Sequence, residues 1–337
     1  MEPDQDVDFG VAGFPSIVGH GPVIARLERA IDSGRVHHAF YFTGPAGVGK
    51  AAVGVAFAQA LNCSHAPGRG CGQCQVCSRI GRNIHPDLVW IEAEGKQIKI
   101  EQVRRLEERL AQGAHEGRAL VILVNEVDRM SIGAANALLK SLEEPRAGVH
   151  FVLVSAASHR VPITVRSRCQ QVRFGPLSVE VVAAALAAET TLGRAEREEV
   201  ARLSAGSLTH ARLLVDSEEL RVWQRWVDQL ATGQLPPLDI PGQVQELLRE
   251  VDEPEEVLKL LRVRLRDQLL LAVGADAQGQ RLVQVDPEGA EAELARQTPL
   301  VVIQRRLAAV QAGLRDLRFY VNKHLALERV FLQLCRP

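Results

Sequence analysis

The first half of the chain alternates between short apolar runs and longer segments in which apolar residues recur at helical spacing. Apolar runs of this length are typical of strands that are buried on both faces of a parallel sheet. The predicted strands are HAFYFTG (38–44), DLVWIE (87–92), ALVILVNE (119–126), HFVLVSA (150–156) and QQVRF (170–174). Strands separated by helical crossovers predict an α/β domain with a parallel sheet over residues 1–175.

Two of the crossovers carry clear helical patterns. The alanine-rich KAAVGVAFAQAL (50–61) follows the first predicted strand, and SIGAANALLKSLEEP (131–145) follows the third. The second of these helices must end near Pro145, because proline has no N–H for the next helical hydrogen bond.

The strand pattern ends near residue 175, and leucine and alanine then recur at the spacing of amphipathic helices. Three short helical patterns predict a small helical lid domain over residues 176–217. Longer patterns, among them PEEVLKLLRVRLRDQLLLAV (254–273), predict an all-α C-terminal domain over residues 218–337.

Composition narrows the class of protein. The chain has 337 residues, of which 46% are hydrophobic, so each predicted domain can bury a core. Its 40 basic and 41 acidic side chains nearly cancel, and only 4% of its residues are aromatic. This balance argues against a self-sufficient nucleic-acid binder. The N-terminus MEPDQDVDFG is acidic and no apolar run reaches membrane-spanning length, so we expect a cytoplasmic protein without membrane contact.

A glycine-rich loop follows the first predicted strand. In FTGPAGVGKA, Gly44, Gly49 and Lys50 have the spacing of a Walker A phosphate-binding loop, with Gly47 between them. In such loops backbone N–H groups and the lysine hold phosphates. Ala51 stands where the motif places a serine or threonine hydroxyl on Mg²⁺. The alternative is a glycine-rich turn with a surface lysine.

The end of the third predicted strand also departs from the usual nucleotide-binding motif. Asn125 stands where an aspartate supports Mg²⁺, and Glu126 follows as the candidate to orient attacking water. With Ala51 and Asn125 together we expect that ATP binding is permitted, that Mg²⁺ coordination is weakened and that hydrolysis is slow or absent. Glu126 and Asp128 are equally consistent with acids at a helix start.

Four cysteines form a cluster in sequence: Cys63, Cys71, Cys74 and Cys77. Four thiolates close the tetrahedral shell of a structural Zn²⁺ ion, so we predict a zinc module over residues 63–77. Redox or disulfide use is the alternative. We interpret Cys169 and Cys335 as packed thiols.

Two arginines are further candidates. Arg168, in the Ser-Arg-Cys run before the last predicted strand, can reach the terminal phosphate of a neighbouring protein's nucleotide, or form a surface ion pair. Arg212, in a predicted lid helix, can sense nucleotide or be solvated. Residue types alone leave both choices open.

Taken together, these motifs resemble the clamp-loader subunits of bacterial DNA polymerase III, of the AAA+ class. The resemblance is strong over about residues 16–175 and weaker but ordered to the C-terminus. Its carriers, besides the four cysteines, are IVGHGPVIARLERAIDSGRVHHAFYFTGPAGVGK (17–50), HPDLVWIE (85–92), IKIEQVRRL (98–106), NALLKSLEEPRAGVHFVLVSAASHRVPITVRSRCQ (136–170) and NKHLALERVFLQL (322–334).

The resemblance implies an AAA+ P-loop domain with a zinc-binding insertion, a lid and a C-terminal collar. It implies that Arg168 is an arginine finger for a neighbouring subunit, that Ser155 lies at the sensor-1 strand end and that Arg212 matches sensor 2. The implied partners are gamma/tau and delta subunits in a five-membered ring, the sliding clamp, and primer-template DNA contacted through the assembly.

Within that family, the implied role is a stator of a DNA polymerase holoenzyme whose own ATPase activity is impaired. The alternative is an ATP-hydrolysing motor subunit of the gamma/tau type. Ala51 and Asn125 depart from the motor pattern.

Overall fold

A five-stranded parallel sheet is the frame of the N-terminal half. The computed structural model describes residues 9–215, 217–232, 239–275, 282, 285, 289–318 and 322–335. The strand order is β2-β3-β4-β1-β5. The strands are β1 Ala39–Thr43, β2 Leu88–Ile91, β3 Leu120–Val124, β4 Val149–Ser155 and β5 Gln170–Arg173. Each lies within its predicted run, except that β4 begins one residue earlier, so the α/β prediction is confirmed.

Alternate residues of each strand enter two separate cores. In β1, Phe40 and Phe42 point to one face, whereas Tyr41 points to the other. The same division holds in β3 for Leu123 and Ile122. Since side chains of a strand alternate between faces, a sheet covered on both sides requires the nearly uninterrupted apolar runs seen in the sequence.

Helices cover both faces. The helices of this half are α1 Gly21–Asp32, α2 Lys50–Asn62, α3 Gln75–Gly81, α4 Ile100–Gln112, α5 Ile132–Glu143 and α6 Ile163–Arg166. Helix α2 packs on the face of Phe40, and α4 and α5 pack on the face of Tyr41. The chain crosses the sheet one way from β1 to β2 and returns through β3, β4 and β5, so right-handed connections place these helices on opposite faces.

This reversal of direction creates a binding edge. The loop after β1 leads to α2 on one face, and the loop after the neighbouring β4 leads to α6. Ligands of open α/β sheets bind where the loops of two adjacent strands diverge, outside the carboxyl ends. The glycine loop therefore lies at the topological switch point of the sheet.

The remainder of the described chain is helical. Its helices are α7 Val179–Glu189, α8 Arg194–Leu203, α9 Leu208–Val215, α10 Ser217–Thr232, α11 Ile240–Glu250, α12 Pro254–Ala272, α13 Ala290–Gln297, α14 Leu300–Arg318 and α15 Lys323–Leu334. Helix α12 contacts α10, α13 and α14, and buries residues such as Leu258, Leu261 and Leu265. It is the central helix of the C-terminal region, and the predicted helical character of this region is confirmed.

By compactness the chain forms two units. One extends to Ala185 and also includes Gly206–Thr209; the other contains Leu186–Ala205 and the residues from His210 onward. The domain boundaries at residues 175 and 217 stay predictions. No helix in the described ranges has the length and hydropathy needed to cross a membrane. Residues 1–8, whose acidic composition entered the localisation argument, lie outside those ranges.

Candidate functional site

The loop between β1 and α2 has the geometry of a phosphate-binding loop. Gly44, Gly47 and Gly49 all have positive φ, and Gly49 caps α2, whose first residue is Lys50. A Cβ on Gly44 would lie 2.2 Å from the carbonyl oxygen of Phe174, so the close approach to β5 requires glycine there. Backbone N–H groups at the start of α2 therefore face the carboxyl edge of the sheet, where a helix terminus favours anions.

Lys50 is buried against its own loop. Its Nζ donates hydrogen bonds to the carbonyl oxygens of Gly44, at 2.9 Å, and of Pro45. Burial lowers the pKa of Lys50 to about 8, although Asp128 and Glu126 act in the opposite direction. Those two acids follow β3, so the lysine and the end of β3 lie close enough for electrostatic interaction. The structure thus brings the predicted lysine and the predicted acid to one edge.

The two positions that would support Mg²⁺ carry side chains of a different chemical type from those of the motif. Ala51 is the second residue of α2 and presents a methyl group. Asn125 follows β3 directly and is half-buried, with its backbone N–H bonded to Ile91. Neither side chain offers the anionic or hydroxyl oxygen that hard cations prefer. Both residues lie at the carboxyl edge of the sheet, next to the glycine loop.

Glu126 is engaged by a side chain that sequence reasoning missed. It has left-handed backbone geometry, with φ 52°, and its carboxylate accepts a hydrogen bond of 2.7 Å from Arg129. Arg129 is itself held by the carbonyl oxygens of Gly95 and Lys96. A carboxylate paired in this way is a poorer acceptor for water than a free one.

One polar contact joins the ends of β3 and β4, and a second is local to the end of β4. Asp128 accepts a hydrogen bond of 3.2 Å from the backbone N–H of Ala156. Ser155, the candidate sensor, is buried, and its Oγ accepts from the N–H of Ala157 at 3.0 Å. Ser155 therefore lies at the strand end where the sequence places it, between the glycine loop and the end of β3 in the strand order.

His20 also supports the glycine loop and was not anticipated. It lies immediately before α1 with φ 57°, and its Nε2 is 2.7 Å from the carbonyl oxygen of Val48. Its ring packs edge-on against Phe174, with centroids 4.9 Å apart. The only signal in the sequence is a histidine between two glycines, which has no specific meaning by itself.

The four predicted cysteines converge. The Sγ atoms of Cys63, Cys71, Cys74 and Cys77 all lie within 4.8 Å of one another, and those of Cys63 and Cys74 are 3.9 Å apart. Tetrahedral Zn²⁺ with Zn–S bonds of about 2.3 Å needs S···S separations of about 3.8 Å. Donor type, number and spacing therefore fit a metal ion such as zinc.

Backbone N–H groups are directed at these sulfurs. The N–H of Cys74 lies 3.3 Å from the Sγ of Cys71, and the N–H of Ala66 lies 3.2 Å from that of Cys63. The bonds from Cys74 and Gln73 lower the pKa of Cys71 to about 6. The loop thus stabilises a thiolate at this position, the form in which cysteine binds metal.

Gln59 connects the cysteine cluster to the N-terminal segment, and it too was missed. The side chain is fully buried. Its Nε2 donates 2.8 Å hydrogen bonds to the carbonyl oxygens of Val11 and Cys77, and its Oε1 accepts one of 2.7 Å from the N–H of Gly13. One α2 side chain therefore joins the N-terminal segment to α3.

Arg168 lies at the opposite edge of the sheet from the glycine loop. It precedes the amino end of β5, whereas Gly44 follows the carboxyl end of β1, and β1 and β5 are parallel neighbours. Its guanidinium donates a hydrogen bond of 2.8 Å to the carbonyl oxygen of Thr164 and forms an ion pair with Glu143. The structure does not bring Arg168 to the chain's own loop.

Arg212 lies in the second compact unit. It forms a bidentate pair with Glu189, with N···O distances of 2.8 and 2.7 Å. The hydrogen bond from Arg212 lowers the pKa of Glu189. The two interpretations of Arg212 from the sequence, nucleotide sensor and solvated side chain, stay predictions.

The comparisons with known proteins concern mainly the sheet-containing half. Residues 19–178 match the family described as DNA polymerase III, delta subunit. The delta' subunit of Pseudomonas aeruginosa is 39% identical, with 52% of this chain and 55% of that protein covered. The delta' subunit of Bacillus subtilis is 32% identical, with 48% and 49% covered.

Another relative aligns with more of the chain, at lower sequence identity. The tau subunit of Bacillus subtilis is 25% identical over 96% of this chain and 61% of that protein. The chain therefore spans between 23% and 61% of the length of these curated relatives.

Proposed function

We propose that the protein acts as the delta-prime subunit of a bacterial clamp loader, because residues 19–178 match the family described as DNA polymerase III, delta subunit, and two delta' subunits are similar to the chain. In this role it is a stator that helps load the sliding clamp onto primer-template DNA in the cytoplasm. It donates Arg168 to the ATP site of a neighbouring subunit, and its own ATP hydrolysis is weak or absent.

The position of Arg168 is the observation that carries the proposal. Phe174, which contacts the glycine loop, lies four extended residue steps beyond Gln170, and such a span is about 13 Å long. An arginine at the amino edge of the sheet is therefore suited to a phosphate of another molecule. Fingers supplied in trans raise phosphoryl-transfer rates by about 1,000- to 100,000-fold.

Three features support weak hydrolysis by the chain itself. Ala51 has no hydroxyl and Asn125 has no charge, so a bound Mg²⁺ ion would have fewer protein contacts. Glu126 is paired with Arg129. A nucleotide would be held by the loop N–H groups and Lys50, without the charge stabilisation that phosphoryl transfer requires.

Exposed leucines support assembly through the C-terminal helices. Leu325 and Leu332 are 60% and 47% exposed and lie seven residues apart, on one face of α15. We assign this face to the collar of a ring formed with gamma/tau and delta subunits. The sliding clamp and DNA are contacted by the assembly, since this chain with net charge −1 has no overall basic field.

The second candidate is an ATP-hydrolysing motor subunit of the gamma/tau type. It is favoured by the tau relative, which aligns with 96% of this chain. In that case water completes the Mg²⁺ shell in place of the side chains at positions 51 and 125. The two candidates differ in which residue limits ATP turnover.

Reconstituted clamp loader distinguishes them. DNA-stimulated ATP hydrolysis is measured in assemblies that carry Arg168→Ala or Lys50→Ala in this subunit. Arg166→Ala is the matched control, because it removes a guanidinium from the same segment. A stator predicts a steep loss for Arg168→Ala and nearly unchanged turnover for Lys50→Ala.

Other outcomes of this experiment would contradict the stator role. A comparable loss for Lys50→Ala identifies a working motor. Equal losses for Arg166→Ala and Arg168→Ala point to the fold of the segment and contradict a finger role. Assembly of each variant is checked by gel filtration, so that failure to form the ring is not mistaken for failure of hydrolysis.

A further inference from the structure

Two separate elements hold the guanidinium of Arg168. One contact comes from the short helix α6, where the carbonyl oxygen of Thr164 accepts from Nη1 at 2.8 Å. The other comes from Glu143, whose Oε1 pairs with Nη2. The Nε atom is buried and has no hydrogen-bond partner in the part of the chain that the structure describes. The contacts from two elements restrain the plane of the guanidinium.

Glu143 is well placed to orient this group. It is the last residue of α5, a helix of 12 residues whose first turn is capped by the Ser131 hydroxyl at 3.2 Å from the N–H of Ala134. The cation thus also lies near the carboxyl end of α5, where the helix dipole favours positive charge. A carboxylate on a rigid helix is a better positioning group than one on a loop, because its own backbone is fixed.

The contact leaves part of the guanidinium available. Arginine has five N–H donors, and Glu143 engages one terminal nitrogen without forming a bidentate fork. The Arg168 side chain remains 34% exposed. A finger needs both a restrained position and an accessible guanidinium, and the two contacts and the partial exposure of the side chain provide these.

We propose that Glu143 is a positioning residue for the Arg168 finger. The inference rests on the proposed function, since it assumes that Arg168 acts on a neighbouring subunit's nucleotide. In this role Glu143 does not touch the nucleotide. It restricts the orientations of the Arg168 guanidinium, so that fewer of them are lost when the guanidinium contacts the neighbour's terminal phosphate. Misplacement of a catalytic group by about 1 Å is worth about 100-fold in rate.

The test uses the complete reconstituted clamp loader with Glu143→Ala or Glu143→Gln in this subunit. Glu144→Ala is the matched control, because Glu144 is the adjacent exposed acid and does not pair with Arg168. We expect Glu143→Ala to lower kcat for DNA-stimulated ATP hydrolysis by about 10- to 100-fold at the site that receives the finger. KM for ATP is expected to stay unchanged, because the phosphate cradle belongs to the other subunit. Glu143→Gln, which keeps an oxygen acceptor, is expected to recover part of the rate.

A double variant shows whether Glu143 acts through Arg168. We expect Arg168→Ala with Glu143→Ala to be no slower than Arg168→Ala alone. The melting temperature of the isolated subunit is expected to change equally for Glu143→Ala and Glu144→Ala, which a structural role of the ion pair would not allow.

Failure of this inference is distinguishable from failure of the proposed function. If Arg168→Ala slows turnover and Glu143→Ala leaves or raises it, the positioning role is overturned while the finger remains; a raised rate would identify the ion pair as a restraint on the finger. If Arg168→Ala has no effect, both are overturned. Additive losses in the double variant would also overturn the positioning role.

Discussion

The carboxylate of Glu126 and the guanidinium of Arg129 form an ion pair of 2.7 Å in the turn that follows β3. Arg129 also donates to the carbonyl oxygens of Gly95 and Lys96, so it ties the turn to the segment before α4. The residue that would orient attacking water is therefore engaged in a structural contact. The pairing of Glu126, the methyl group of Ala51 and the neutral amide of Asn125 are thus three features at one edge of the sheet that disfavour ATP hydrolysis.

Restoration of the two Mg²⁺ contacts is expected to restore Mg²⁺-dependent binding. We expect the isolated Ala51→Thr, Asn125→Asp variant to bind ATP about tenfold more tightly with Mg²⁺ than with a chelator, since one charge-assisted contact is worth about 1.5 kcal/mol. The unchanged chain should show little such difference. Fluorescence titration with a labelled nucleotide measures both. Equal Mg²⁺ dependence of the two proteins would contradict the account of the loop.

The Arg129 pairing can be tested on the same background. Adding Arg129→Ala to the restored variant is expected to raise hydrolysis further, because Glu126 becomes free to orient water. Arg105→Ala is the matched control, since Arg105 is an exposed arginine that pairs with Glu94 instead. Phosphate release by the isolated chain is the measurement, and equal rates for the two additions would show that the pairing has no effect.

The strands were predictable from sequence because both faces of the sheet are buried. Uninterrupted apolar runs mark such strands, and the glycine spacing with Lys50 marks the loop that follows the first of them. The predicted helix over 50–61 corresponds to α2 Lys50–Asn62, since its alanine-rich sequence lies between a glycine loop and a cysteine. The cysteine cluster was predictable for a similar reason: its donors lie within 15 residues of one another.

Contacts between distant segments were not predictable. Gln59 lies in an apolar helix, and no local pattern indicates that its amide binds Val11 and Cys77. The partner of Arg168 is 25 residues earlier in sequence, at the end of α5, and only the sheet order brings the two together. Such pairings are set by tertiary structure, on which periodicity carries no information.

Removal of metal from the four-cysteine cluster is expected to destabilise the sheet-containing unit. Cys74→Ser leaves three thiolates, and Cys169→Ser, which changes a partly buried thiol outside the cluster, is the control. A loss of about 3 kcal/mol would lower the melting temperature by about 6–12 °C. Mass spectrometry of the native protein should find one Zn²⁺ ion per chain. A metal-free protein with an unchanged melting temperature would contradict a zinc module.

Gln59 is expected to contribute more to the free energy of unfolding than a single polar side chain usually does. Gln59→Ala leaves the carbonyl oxygens of Val11 and Cys77 and the N–H of Gly13 without their partner. At about 1–3 kcal/mol for each unsatisfied buried group, partly offset by water, we expect a loss of about 3 kcal/mol. Urea unfolding measures it, with the exposed Gln75→Ala as control. Equal midpoints for the two variants would show that water replaces the amide fully.

Assembly through α15 is expected to depend on its exposed leucines. Leu325→Lys with Leu332→Lys places two charges on the face that we assign to the collar, where buried unpaired charge is unfavourable. The opposite face of α15, which includes Phe331, stays intact, so the isolated chain should keep its melting temperature. Gel filtration with the other clamp-loader subunits measures assembly. A complete ring formed by this variant would contradict the assignment.

Three histidines, of which His85 is buried and His38 and His150 are half-buried, give the stability of the sheet-containing unit a definite pH dependence. Burial lowers the pKa of His38, His85 and His150 below the ordinary value of 6.5. The folded state thus prefers the neutral imidazole, whereas the unfolded chain takes up protons near pH 6.5. Stability from these groups is fully present above that pH and is lost as the pH falls below it, because the unfolded state then binds more protons.

His150 allows a direct test of this sign. It lies in β4, and its Nδ1 is 3.1 Å from the carbonyl oxygen of His37, whose ring stacks on that of His38. Positive charge on His150 would therefore be unfavourable next to two further imidazoles. We expect His150→Gln to flatten the decline in unfolding free energy between pH 7 and pH 5, and the exposed His159→Gln to leave it as it is. A steeper decline in His150→Gln would mean that the folded protein holds His150 in its protonated form.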